Sequence, residues 1–79
     1  MTDSIKSQVH DIVANTLGIP ATQVTTELAI GDIPEWDSIA NVRLLQAIEA
    51  VFDIEIDALD ALDAEDVFDF VKLVENYTH

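Results

Sequence analysis

Seventy-nine residues, 49% of them apolar, can bury one core but not two, so residues 1–79 are expected to form a single domain. Sixteen acids against Lys6, Arg43 and Lys72 give a net charge of −13, which opposes nucleic acid and anionic lipid and favours basic protein partners. The absence of cysteine excludes disulfides and thiolate metal sites, no run approaches the ~18 apolar residues of a membrane span, and the start does not resemble a secretory signal, so a cytoplasmic location is expected.

Ile5, Val9, Ile12, Val13 and Leu17 recur at helical spacing, with Asp3 or Ser4 suited to cap the start. Gly18 suits the left-handed turn after the last coil and Pro20 stops continuation, which predicts a helix over about residues 4–17 with His10 on its outer side. Residues 18–37 have no period, because Thr22, Thr25, Thr26, Gly31, Asp32 and Pro34 interrupt it. Yet Ile19, Val24, Leu28, Ile30, Ile33 and Trp36 are scattered through this segment, so it is predicted to lie over the core; loops of this length are often functional.

A second helix is predicted over about 38–53, opened by Ser38, with Asp37 equally suited to a helix start. Leu45, Ile48 and Phe52 share its apolar face with Leu44 beside them, while Asn41, Gln46, Glu49 and Asp53 lie elsewhere. Asp57 to Leu62 reads as a short helical turn. Asp63 then caps a last helix over about 64–77, with Asp66 in its first turn and Val67, Phe68, Val71, Val74 and Tyr77 facing inward. The expected fold is all-α: a small four-helix bundle, three main helices plus a short third, with a long loop between helices one and two.

Few residues suit catalysis. His10 and His79 have no evident route to a serine, and no zinc spacing, phosphate loop or dinucleotide loop occurs, so no enzyme and no metal centre is expected. Asp57, Asp60 and Asp63 recur every third residue, unlike a calcium loop, and read as a solvated acidic edge on which divalent binding stays open. Crowding with Glu65, Asp66 and Asp69 is expected to loosen the short third helix. Ser38 admits two readings from its position: a plain helix cap, or a hydroxyl whose phosphate would meet free helix amides at a reachable site.

The segment Trp36-Asp37-Ser38-Ile39, followed by Val42, Leu44, Leu45, Ala47, Ile48, Glu49, Phe52, Asp53, Glu55 and Ile56, resembles the second helix of acyl carrier proteins. The likeness extends to length, acidity, Gly18-Ile19-Pro20 and the final helix, and so covers essentially the whole chain. It implies that a phosphopantetheinyl transferase, using coenzyme A and Mg²⁺, attaches a 4′-phosphopantetheine arm to Ser38, with Asp37 as the adjacent motif acid. The arm's thiol would carry an acyl group as a thioester, shuttled by a monomeric carrier among loading enzymes and downstream synthases or transferases. In fatty-acid-type members the acyl chain tucks between the helices.

The resemblance also implies docking through the second helix, here Ile39, Val42, Arg43, Gln46, Glu49 and Asp53. Ala40, Arg43, Gln46, Ala50 and Val51 depart from the family's acids and its usual methionine, which points away from housekeeping fatty acid synthesis. A specialised lipid, polyketide or polysaccharide pathway is expected instead. One alternative is an aminoacyl or peptidyl carrier, including a D-alanyl carrier, although its Gly-Gly-His-Ser or Leu-Asp-Ser-Phe patterns are absent. Another is an acidic interaction module that uses Ser38 only as a cap.

Overall fold

Apolar spacing, a few carboxylate caps and one glycine account for most of the helix boundaries. A computed structural model describes residues 2–78, with side chains from residue 4 onward, so the predicted Asp3 cap and His79 lie outside the described side chains. Four α-helices form among the described residues: α1 (Thr2–Leu17), α2 (Ser38–Phe52), α3 (Ala58–Leu62) and α4 (Val67–Tyr77), with a 3₁₀ turn at Ala21–Gln23. This is the expected all-α bundle. Ser4 sits inside α1 rather than capping it, because the helix begins at Thr2.

α1 buries Val9, Ile12, Val13 and Leu17, and packs against both α2 and α4. Its end follows from Gly18: with φ at +70° that residue turns the chain left-handed, and the Ile19 amide reaches back to the Ala14 carbonyl at 3.1 Å. Ile19 thereby drops into the core. α2 ends in the same way at Asp53, a non-glycine residue with φ at +54°, where the Ile54 amide bonds the Glu49 carbonyl.

The inward face of α2 is Ala40, Leu44 and Ile48, with Leu45 and Phe52 half-buried at its margin. That centres the face one position before the predicted Leu45–Ile48–Phe52 line. α4 differs more. Asp66, not Asp63, is its cap, accepting the Asp69 amide at 2.7 Å.

The reason lies far away in sequence. The loop between α1 and α2 is stitched to the residues ahead of α4: the Ile30 amide bonds the Glu65 carbonyl at 2.8 Å, the Val67 amide bonds Leu28 at 3.0 Å, and Ala29 pairs with Asp66 as an isolated antiparallel bridge. Residues 64–66 are thus held out of the helix. α4 runs from Val67 with Val67, Phe70, Val71, Leu73 and Val74 buried, and Phe68 points outward at 51% exposure instead of facing the core.

The long loop does cover the core. Val24 and Trp36 are buried within it, and Leu28, Ile30 and Ile33 pack against the core from its edge. Trp36 is fully buried, its ring 6.2 Å from that of Phe70 at a 32° tilt.

Candidate functional site

The start of α2 separates two roles that the sequence leaves joined. Asp37 is extended (φ −105°, ψ −173°) and its Oδ1 accepts the Ala40 amide at 2.8 Å, so Asp37 is the cap. Ser38 is the first helical residue and is exposed. Its hydroxyl is therefore not needed to terminate the helix. With the Ala40 amide taken by Asp37, those of Ser38 and Ile39 remain at the positive end of the α2 dipole, where an anion is favoured.

Ser38 is held by what precedes and follows it. Trp36, two residues earlier, is pinned in the core, and its Nε1 donates to Asn41 Oδ1 at 2.9 Å. Asn41 Nδ2 reaches the Ala64 carbonyl at 3.5 Å, so one amide side chain joins the loop, α2 and the approach to α4. The loop folds back on this point, with the Gly31 amide bonding the Trp36 carbonyl at 2.9 Å and the Trp36 amide bonding Ile33 at 3.1 Å. Asn41 is absent from the predicted site residues; the signal that finds it is a buried indole N–H that must be answered by an acceptor nearby.

Beside Ser38 runs a groove of about 500 Å³ walled by Ile30, Gly31, Ile33, Pro34 and Trp36, with Asp32 and Asp37 also bordering it. An exposed hydroxyl that does no capping, at a helix N-terminus and on the edge of an open groove, fits a phosphodiester-linked prosthetic group.

The remaining predicted residues are spread along α2. Ile39 and Val42 are exposed apolar residues at 66% and 53%. Arg43, Gln46 and Asp53 are exposed, whereas Glu49 is half-buried and its Oε2 accepts the Ile56 amide at 2.9 Å, securing the turn after α2. On α3, Leu59 and Leu62 present further exposed apolar surface.

The acidic edge is ordered by two devices. Asp57 caps α3 by accepting the Leu59 amide, and Tyr77 from α4 clamps it, its hydroxyl accepting the Asp57 amide at 2.9 Å and donating to Asp60 Oδ2 at 2.5 Å. The bond to Asp60 raises the Tyr77 pKa above the usual tyrosine value. Among the described residues no group of three or more His, Asp or Glu side chains is arranged to hold a metal ion.

His10 is half-buried rather than fully outward, with Nε2 enclosed and without a hydrogen-bond partner. Its pKa is lowered, first by burial and then by Lys6, against an opposing effect of Asp11.

No protein-family model matches the chain. The chain is 37% identical over 71 residues to the acyl carrier protein of Clostridium acetobutylicum, covering 90% of this chain and 92% of that protein. It is also 38% identical over 55 residues to the non-reducing polyketide synthase SAT8 of Stachybotrys chartarum, an alignment that spans 70% of this chain and 2% of the synthase. Among the described residues no helix is long and apolar enough to cross a membrane.

Proposed function

The chain belongs to the acyl carrier protein family, whose members are carriers and not enzymes, and from that membership we propose that Ser38 is the attachment point of a 4′-phosphopantetheine arm. The observation that carries this reading is the division of labour at the start of α2: Asp37 caps the helix and leaves the Ser38 hydroxyl exposed and uncommitted. Attachment forms a bond between the Ser38 oxygen and the phosphorus of coenzyme A nearest the pantetheine. It releases adenosine 3′,5′-bisphosphate, and the hydroxyl proton passes to the phosphopantetheinyl transferase. The amides of Ser38 and Ile39 and the α2 dipole then face the phosphodiester. Once bound, the arm supplies a terminal thiol on which an acyl group is held as a thioester.

The chain works as a cytoplasmic, monomeric single domain that carries this cargo between enzymes. Ile39, Val42, Arg43, Gln46, Glu49 and Asp53 form its docking face, and the net charge of −13 steers it to basic partner surfaces. Arg43 and Gln46 are exposed on α2 and give that face a different charge pattern from a housekeeping fatty-acid carrier. A specialised acyl pathway follows from this, and the likeness to part of a polyketide synthase supports polyketide assembly among the choices.

Incubation with coenzyme A, Mg²⁺ and a broad-range phosphopantetheinyl transferase, read by intact mass, tests the attachment. One pantetheinyl addition is expected on the wild-type chain and none on Ser38→Ala with unchanged helicity. Absence of any addition to the folded protein would favour a plain acidic interaction module. Charging of the holo-protein by an amino-acid-activating enzyme, and not by an acyl-loading one, would move the assignment to an aminoacyl carrier.

A further inference from the structure

The groove beside Ser38 is not explained by attachment alone. We infer that the arm on Ser38 folds back into this groove, against residues 30–34, in the resting carrier; the inference rests on the attachment proposed above. The groove is a shallow, open depression of about 500 Å³, and Ser38 lies on its border, so an arm attached there starts at its mouth.

Its chemistry suits the neutral part of the arm. Half-buried Ile30 and Ile33 and exposed Pro34 offer apolar surface for the geminal methyls and methylenes of pantetheine, over a floor backed by the buried Trp36. The two bordering carboxylates are already engaged, Asp32 with the Ala29 amide at 2.9 Å and Asp37 with the Ala40 amide at 2.8 Å. They disfavour a second anion in the groove, which leaves the phosphodiester at the α2 amides and admits only the uncharged remainder.

The groove is also built in advance. The loop is fixed by Gly31 to Trp36, Asp32 to Ala29, Trp36 to Ile33, and Ile30 to Glu65, all backbone bonds of 2.8–3.1 Å. Gly31 adopts a φ of +87°, which fixes the turn of the loop here, and a Cβ there would meet nothing within 4 Å. Little conformational entropy is lost on filling a preformed surface. The tether does the rest: a short linkage gives an effective concentration of about millimolar or higher, at which even a weak intrinsic affinity populates the bound arm. A partner that engages Ile39 and Val42 must then draw the arm out of the loop groove to reach its thiol.

The test compares isotope-labelled apo and holo protein by NMR, with conversion certified by intact mass. On attachment the amide signals of Ile30, Gly31 and Ile33 are expected to shift, and the geminal methyls of the arm to show contacts to the methyls of Ile30 or Ile33. In Ile33→Thr the mass gain should persist while the Gly31 shift falls by half or more. A mass gain with shifts confined to residues 37–40, or with arm contacts to Val42, Leu59 or Leu62, overturns the groove and leaves the attachment intact. An unchanged Gly31 shift in Ile33→Thr overturns it as well. No mass gain overturns both.

Discussion

Replacing Asn41 with leucine probes the device that holds Ser38, the proposed attachment serine. The Trp36 indole is fully buried, and its N–H donates to Asn41 Oδ1 at 2.9 Å. Leucine removes the acceptor and strands the donor, which costs about 1–3 kcal/mol. The bond from Asn41 Nδ2 to Ala64 is long, at 3.5 Å, and adds little. A chain of 79 residues has a total stability of roughly 4–12 kcal/mol, so the loss is a large fraction of it. A loss of about 2 kcal/mol corresponds to a fall in Tm of about 8–16 °C. Asn41→Asp keeps an acceptor and should lie nearer the wild type.

The decisive assay is a double-mutant cycle with Trp36→Phe, followed by urea unfolding and far-ultraviolet circular dichroism. Phenylalanine has no N–H to strand, so Asn41→Leu should cost about 1–2 kcal/mol less in that background than in the wild type. Strict additivity of the two substitutions would refute the assignment of the cost to the orphaned indole.

Two further outcomes follow from side chains outside the site. Tyr77→Phe removes the hydroxyl that clamps Asp57 and Asp60. Since the five-residue α3 is too short to persist unaided, exchange of the Ala61 amide, bonded to Asp57, should accelerate about tenfold while the global unfolding midpoint barely moves; unchanged exchange would refute the clamp. Because His10 has a lowered pKa in the fold, the unfolded chain takes up its proton first as pH falls below about 6.5. The His10 contribution to stability is therefore present above that pH and lost as pH falls through the folded-state value, so Tm should drop more steeply between pH 7.5 and 5.5 in the wild type than in His10→Gln, and equal slopes would count against it.

Most helix positions were legible because they depend on neighbours in sequence: apolar residues every three or four positions and Gly18 closing α1. The start of α4 was not, since Asp63 and Asp66 are equally good caps and the choice is made by bonds from Leu28 and Ile30 more than thirty residues away. Phe68 and Phe70 lie on opposite flanks of the Val67–Val71–Val74 line, and which flank faces the core is settled by packing against the rest of the bundle, which that spacing does not reveal. Ser38 could be placed at a helix start, but whether it or Asp37 caps the helix depends on where the two side chains point in space. Asn41 looked like an ordinary polar helix residue because its partner, Trp36, lies in the irregular loop. His10 is enclosed by packing that its own spacing does not reveal.

The stitching of residues 26–30 to residues 65–68 also bears on when the serine becomes presentable. These pairings join segments nearly forty positions apart, so the entropy of closing that long stretch of chain is spent before any of them is rewarded. Trp36 and Ser38 follow directly on the loop that these pairings order, so the seating of Trp36 and the aim of Ser38 depend on them. The proposed modification at Ser38 would therefore depend on pairings far from it in sequence, between residues 26–30 and 65–68, as well as on the local start of α2.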